Sequence, residues 1–446
     1  MVLDFLLDVF RENAERDAIV WRDTACSYGH LLARVGHWEG ELAAKEIPHG
    51  AVVMLEADFS PESVALFLAL AAHGCILVPM TASVEAKKPE FAEVAQCEIA
   101  ITIDAQDVVE FRSLPHAGAH EFYETLRTLA HPGLVLFSSG STGRSKAAVH
   151  DLSGLFEKFR VRRQSLRAIT FLLYDHIGGV NTMLYTLANA GCIVTVQERS
   201  ADGVLAAVAK HRVELLPTSP TFLNLILLSE AWRRHDLQSL RTITYGTEPM
   251  PQSTLTRLHE LLPEVQLVQT YGLSEVGILR SKSKSSDSLW VRIGGEGFET
   301  RIVDGMLQIK ARSAMLGYLN AASPFTEDGW FLTGDAVEVD GEYVRILGRK
   351  SEIINVGGEK VYPAEVENVV QTLDNIAEVT VFGEKNPITG AIVCARVRLL
   401  LPEPLAELRS RIRQACRGRL APYQIPVKIV ITDEEQFGGR FKKKRA

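Results

Sequence analysis

The sequence predicts an α/β protein: a large N-terminal domain of parallel-rich sheets with helices plus a β subdomain, followed by a small α+β C-terminal domain. Three observations lead there. Helical signals and short apolar strand signals alternate through the first part of the chain, the rhythm of sheets covered by helices. Near residue 300 the texture changes to short strands joined by Asp-Gly turns. After Gly348-Arg349-Lys350 a separate set of helix and strand signals begins, so the expected domains are 1–348 and 349–446.

Taken in order, Ser60-Pro61-Glu62 reads as a helix start, with serine at the N-cap and proline at the first helical position. The run Val64-Ala65-Leu66-Phe67-Leu68 continues that helix, Gly74 stops it, and Cys75-Ile76-Leu77-Val78 is a strand. The same sequence of helix, glycine or turn, and strand returns at 180–196 and again at 204–216. Between Ala82 and Pro132 only one or two strands are expected, so the large domain is compact. Short strands at 299–303, 306–310 and 343–347 are joined by turns at Asp304-Gly305 and Asp340-Gly341, an antiparallel pattern. The last domain shows a helix opened by Pro363, strands at 379–382 and 391–397, a helix at 404–417 and a strand at 427–431.

With 446 residues there is room for a sizeable buried core. A net charge of −7 gives no general attraction to nucleic acid or anionic membranes; only Arg440, Lys442, Lys443, Lys444 and Arg445 form a short basic run. The six cysteines are scattered without a C-x-x-C pair, which argues against a disulfide framework or zinc cage and predicts reduced thiols in a cytoplasmic protein. Met1-Val2-Leu3-Asp4-Phe5 lacks the basic lead of a signal peptide. The most apolar stretch, 64–80, is broken by His73, Gly74 and Pro79 and reads as a core helix and strand.

The strongest local chemistry lies where the buried strand at Leu134-Val135-Leu136-Phe137 runs into Ser138-Ser139-Gly140-Ser141-Thr142-Gly143-Arg144-Ser145-Lys146. Glycines let backbone N–H groups close on phosphate oxygens, and hydroxyls and a lysine add contacts. The spacing G-x-x-G-x-x-K is not that of a Walker A loop. Tyr245-Gly246-Thr247-Glu248-Pro249 follows one strand and Thr270-Tyr271-Gly272-Leu273-Ser274-Glu275 the next. Gly329-Trp330-Phe331-Leu332-Thr333-Gly334-Asp335 and a segment from Gly348-Arg349-Lys350 to Val356-Gly357-Gly358-Glu359 complete the series.

Together and in this order, these segments resemble the adenylate-forming superfamily of acyl-CoA synthetases, nonribosomal-peptide adenylation domains and luciferases, over almost the whole chain. The resemblance implies an ATP-dependent ligase that activates a carboxylic acid as its adenylate and passes it to a thiol. It places the β- and γ-phosphates at the loop of Ser138, Ser139, Gly140, Ser141, Thr142, Gly143 and Lys146, with Thr142 near the metal. Glu275 would ligate Mg²⁺, a hard cation suited to carboxylate and phosphate oxygen. Gly246, Thr247, Glu248, Tyr271, Gly272 and Ser274 would line the nucleotide, Asp335 would accept from the ribose hydroxyls, and Arg349 would reach ribose or phosphate. Tyr174-Asp175-His176-Ile177-Gly178-Gly179 takes the place of an aromatic-His-x-x-Gly segment. His176 would border the acid, Gly178 and Gly179 would leave space for its tail, and Asn181 would add a polar group; the other reading of His176 is a helix cap. The segment 217–222 is a second expected wall. The Gly357-Gly358 turn resembles the border of a thiol tunnel for CoA or the phosphopantetheine of an acyl carrier protein.

The chain departs from the family at Ser145, Ala147 and Ser351, and more seriously at its C-terminal Gly-Lys signature. That signature falls on Gly438-Gly439-Arg440-Phe441-Lys442, so direct register puts Arg440 where the family has a lysine. Arginine is not an equivalent substitute at a tight site. Either Arg440 or Lys442 would supply the cation, or the chain would be a binding protein that no longer adenylates. No aspartate stands in a clear position to pair with an α-amino group, Asp175 beside His176 being the only candidate, so an aryl or medium-chain acid is favoured over an amino acid.

Overall fold

The structure, a computed structural model, describes residues 2–138, 145–438 and 441–444. Two seven-stranded sheets form the large domain. The first runs, in spatial order, Gly317–Tyr318, Lys146–Asp151, Gly133–Ser138, Ile76–Met80, Val52–Glu56, Ile99–Ile103 and Val109–Ser113. Its central pairings are parallel, and the strands added at each edge are antiparallel. The second sheet runs Gln266–Gln269, Thr242–Tyr245, Leu215–Thr218, Arg167–Ile169, Cys192–Val194, Asp17–Trp21 and Thr24–Ser27, parallel throughout except at its last pair.

One core lies between the sheets. Val53, Leu55, Leu77, Leu134 and Leu136 enter it from the first, Ile19 and Ile193 from the second. The helices Pro61–Ala72 and Ile177–Ala188 fill the space between. The first is buried from Ser63 to Ala71, which explains why it is apolar all round rather than amphipathic. Ser60 caps it: its hydroxyl accepts from the Ser63 amide at 3.0 Å and the Ser63 hydroxyl accepts from the Ser60 amide at 2.9 Å. Pro61 occupies the first turn, where no amide partner is needed. Further helices cover the outer faces of both sheets. The region expected to hold one or two strands contains Ile99–Ile103 and Val109–Ser113, flanked by the helices Lys88–Val94 and Glu121–Leu129.

The antiparallel subdomain is a six-stranded sheet in which Phe298–Val303 pairs with Met306–Ala311, and Phe331–Asp340 with Tyr343–Arg349. A new sheet begins at Ile354 and contains the long pair Ile376–Asn386 and Gly390–Leu399. The helices Pro363–Val370 and Leu405–Cys416 pack on it around Val366, Leu408 and Ile412. All six cysteines are unpaired. Among the described residues, no helix is long and apolar enough to cross a membrane.

Candidate active site

A cleft of about 970 Å³ opens where the carboxyl ends of parallel strands meet the β subdomain and the C-terminal segment. Its walls follow from topology: Ser138 and Thr218 end their strands, while Gly246, Thr247 and Thr270 lie just beyond theirs. Loops in this position converge on one crevice in open α/β sheets. Ser138 and Lys146 are register partners at the end of a hairpin, and both face the cleft. The Lys146 ammonium lies 5.2 Å above the Tyr318 ring. Ser139, Gly140, Ser141, Thr142 and Gly143, expected to hold phosphates, lie outside the described residues, as does Arg440.

Arg349 lines the cleft, and strand pairing places the buried Asp335 directly opposite it, behind the wall. The Arg349 Nε sits 3.4 Å from one Asp335 oxygen, and the Tyr271 hydroxyl donates to the other at 2.5 Å. Thr333 takes the Asp335 amide on its hydroxyl at 3.0 Å. Burial raises the Asp335 carboxyl above the usual carboxylate range, and Arg349 and Tyr271 pull it back. The result is a fixed acceptor under a cation. Glu275 also lines the cleft and accepts from the Tyr318 hydroxyl at 2.6 Å. Behind it, fully buried His150 donates from Nε2 to the Ser274 carbonyl at 2.6 Å, and burial lowers its basicity.

Elsewhere in the wall, His176 caps the helix Ile177–Ala188: its Nδ1 accepts from the Gly178 amide at 3.0 Å. The outward Nε2 lies 3.5 Å from the Lys442 ammonium, so His176 both caps and faces the cleft. Lys442 comes from a short turn in which the Gly438 amide donates to the Lys442 carbonyl at 2.9 Å. The turn docks on the large domain through Phe441, whose ring packs 5.2 Å from both Phe171 and Phe222. The Ser219 hydroxyl donates to the Phe441 carbonyl at 2.8 Å. Lys443 adds a backbone donation to Glu248 at 3.1 Å and an ammonium contact to Glu367 at 3.0 Å.

Several expectations need correction. Tyr271, expected to line the nucleotide, does not line the cleft; its ring is buried and its hydroxyl serves Asp335, because the strand pair brings that carboxylate underneath it. The Glu248 carboxylate turns to the Thr221 amide at 2.9 Å and to Lys443, beside a separate small cavity. Gly179 makes no space for a substrate tail, since a Cβ there would meet the Leu173 carbonyl oxygen at 2.0 Å. Gly178 and Asn181 do line the cleft, as do Gly246, Thr247, Gly272 and Ser274. Asp175 is buried and accepts from the Thr81 hydroxyl at 2.8 Å. Gly357 and Gly358 form the turn between Ile354–Val356 and Glu359–Val361 with φ of +62° and +93°, a demand of the hairpin itself. That turn is not part of the cleft wall in this arrangement.

Three contributors escaped sequence reasoning: His150, Tyr318 and Lys158. Tyr318 stands in a two-residue strand with no motif around it, and His150 differs from a surface histidine only by lying inside an apolar strand. Lys158 sits just past a helix end, where lysines are ordinarily solvated.

A two-domain α/β enzyme is thus defined, its cleft lined by an arginine paired to a buried carboxylate and by a lysine–histidine pair. The chain belongs to the AMP-binding enzyme family, whose profile matches residues 8–312, with the family's C-terminal domain matching 365–437. Indoleacetate–CoA ligase of Aromatoleum aromaticum is 27% identical, covering 94% of this chain and 92% of its own. The long-chain-fatty-acid–CoA ligase FadD13 of Mycobacterium tuberculosis is 24% identical over 92% and 90%. The crystal structure of the anthranilate CoA ligase AuaEII with anthranoyl-AMP shares the fold, with a TM-score of 0.82 at 20% identity, covering 98% of this chain and 95% of that one.

Proposed function

We propose that this protein is an ATP-dependent acid–thiol ligase that forms an acyl-adenylate and transfers the acyl group to CoA. The observation that carries the reading is one cleft lined both by Arg349, backed by the buried Asp335 carboxylate, and by a lysine beside a histidine. In the first half-reaction a carboxylate oxygen attacks the α-phosphorus of ATP and pyrophosphate leaves. The anions repel one another, so fixed cations and donors must hold them together. Lys442, in the cleft wall 3.5 Å from His176, would contact both the acid and the α-phosphate, and this position supports it as the essential cation. Asp335 would accept from the ribose hydroxyls, and Arg349 would orient the Asp335 carboxylate and reach the phosphate. Lys146 would take the outer phosphates from the hairpin end.

The donor set fits Mg²⁺, which usually keeps one or two carboxylates and fills its remaining positions with phosphate and water. Glu275, already in the cleft, would hold the ion together with Thr142, and the ion would neutralise phosphate charge. In the second half-reaction the thiol sulfur attacks the acyl carbonyl and AMP leaves. We assign the move between halves to rotation of 349–446 against 1–348, bringing the Gly357-Gly358 turn to the thiol path. Relatives named as CoA ligases support CoA over carrier phosphopantetheine as acceptor.

The test is pyrophosphate exchange with mass detection of acyl-AMP over a panel of carboxylic acids, followed by addition of CoA or a phosphopantetheinyl carrier protein. Acyl-AMP that disappears on adding CoA is the expected result. ATP binding without acyl-AMP from any acid would instead favour a non-adenylating binding protein.

A further inference from the structure

Lys158 lies behind the acid end of the cleft. Its ammonium donates to the Asn181 side-chain oxygen at 2.5 Å and to the Ile278 carbonyl at 3.1 Å. Both partners line the cleft, together with Gly178 and Thr182. Neither partner carries charge. Among the described residues the part-buried ammonium has only neutral hydrogen-bond acceptors, so its charge is left unbalanced there, and a ligand bearing a negative group would offset it. Burial, with no carboxylate partner among the described residues, lowers the Lys158 ammonium to a pKa of about 7.

The distance along the helix sets the ligand's length. Asn181 follows His176 by five residues, roughly 7.5 Å along the helix at its ordinary rise. The carboxylate to be activated belongs at His176 and Lys442. A partner for Lys158 would therefore stand at the opposite end of a medium-length chain or across an aromatic ring.

We propose that the acid accepted by this site carries a second, distal anionic group, a carboxylate being the simplest, and that Lys158 receives it. The inference rests on the ligase reading above and specifies its substrate class. Charged hydrogen bonding to the second group would favour such acids over chain-matched monoacids by about 10–100-fold in kcat/KM.

The experiment compares matched pairs, adipate with hexanoate and terephthalate with 4-methylbenzoate, by pyrophosphate exchange and acyl-AMP detection. It uses the full chain, K158M and K158Q, with thermal melting to establish that each variant is folded. The expected result is a preference for the diacid in the wild-type chain that disappears in both variants, while exchange with the monoacids persists. Equal kcat/KM within each pair for all three proteins would overturn this inference and leave the ligase reading intact. A diacid preference that survived in both folded variants would remove Lys158 as the receiving group. No exchange with any acid would overturn the ligase reading and this inference with it.

Discussion

In one wall of the cleft, Arg349 is the register partner of buried Asp335 on the adjacent strand, with Tyr271 and Thr333 holding the carboxylate from two further sides. At the acid end, Lys442 reaches His176 from a short turn held by Phe441, Ser219 and Glu248. Strand register fixes side chains through a cooperative backbone ladder, while a docked turn can release without unfolding the sheets. The Asp335–Arg349 corner is thus standing equipment, and the Lys442 end is completed by docking. On the proposed reading, ATP would keep its seat at that corner while the lysine arrives for adenylation and withdraws before thiol attack.

The comparison breaks first at the lysine. K442A should lower pyrophosphate exchange by about 10²–10³, the usual cost of one transition-state contact, with R440A costing less than about tenfold. The reverse order would return the role to Arg440. At the other end, D335A should weaken ATP binding by about 10–100-fold in a direct titration, since a buried charged acceptor is lost. Unchanged ATP affinity would show that this corner does not hold the ribose. Between them stands F441A, a positioning variant. It should slow adenylation about tenfold while leaving transfer from supplied acyl-AMP to CoA within about twofold, because only the first step needs the turn docked. Equal losses in both half-reactions would mean that Phe441 merely stabilises the fold.

The same contrast explains what could be read from the sequence. The helix after Ser60, the strand at 76–80 and the Asp-Gly hairpins declare themselves through caps, apolar runs and turn residues, all local signals. Gly246, Ser274 and Glu275 sit in short motifs beside strand ends and line the cleft, whereas Asp335 lies inside the strand Phe331–Asp340 and behind the wall. Tyr271 and Glu248 lie in those motifs too, yet their side chains turn to Asp335 and to Thr221, partners 64 and 27 residues away. Pairing at that range depends on the fold. Gly179 was misjudged for a related reason: a glycine can make room for a ligand or for a neighbouring carbonyl, and only the latter is present. At the acid end, nothing local distinguishes Lys442 from Lys443 and Lys444. What separates them is the Phe441 side chain that seats the turn.

Lys158 sharpens the comparison by a smaller, purely electrostatic effect. Its ammonium has an ordinary pKa of 10.5 in an unfolded chain, and burial lowers it to about 7 in the folded one. Between these values the unfolded state binds more protons, so folding stability gains from this group as pH rises. Below about pH 7 both states are protonated and the full cost of the buried charge is present. The quantity to measure is the difference in unfolding free energy between the wild-type chain and K158M at pH 6, 8 and 9.5, which cancels the other titrating groups. Lys158 is only part-buried in the structure, so its contribution should improve by on the order of 1 kcal/mol across that interval. A distal carboxylate bound at Lys158 would stabilise the ammonium and raise its pKa, flattening the same curve when a diacid is present. A matched monoacid would leave the slope as it is. A flat difference without any acid would show that the ammonium is solvated, and the acid end would then be a neutral wall opposite the charged nucleotide corner.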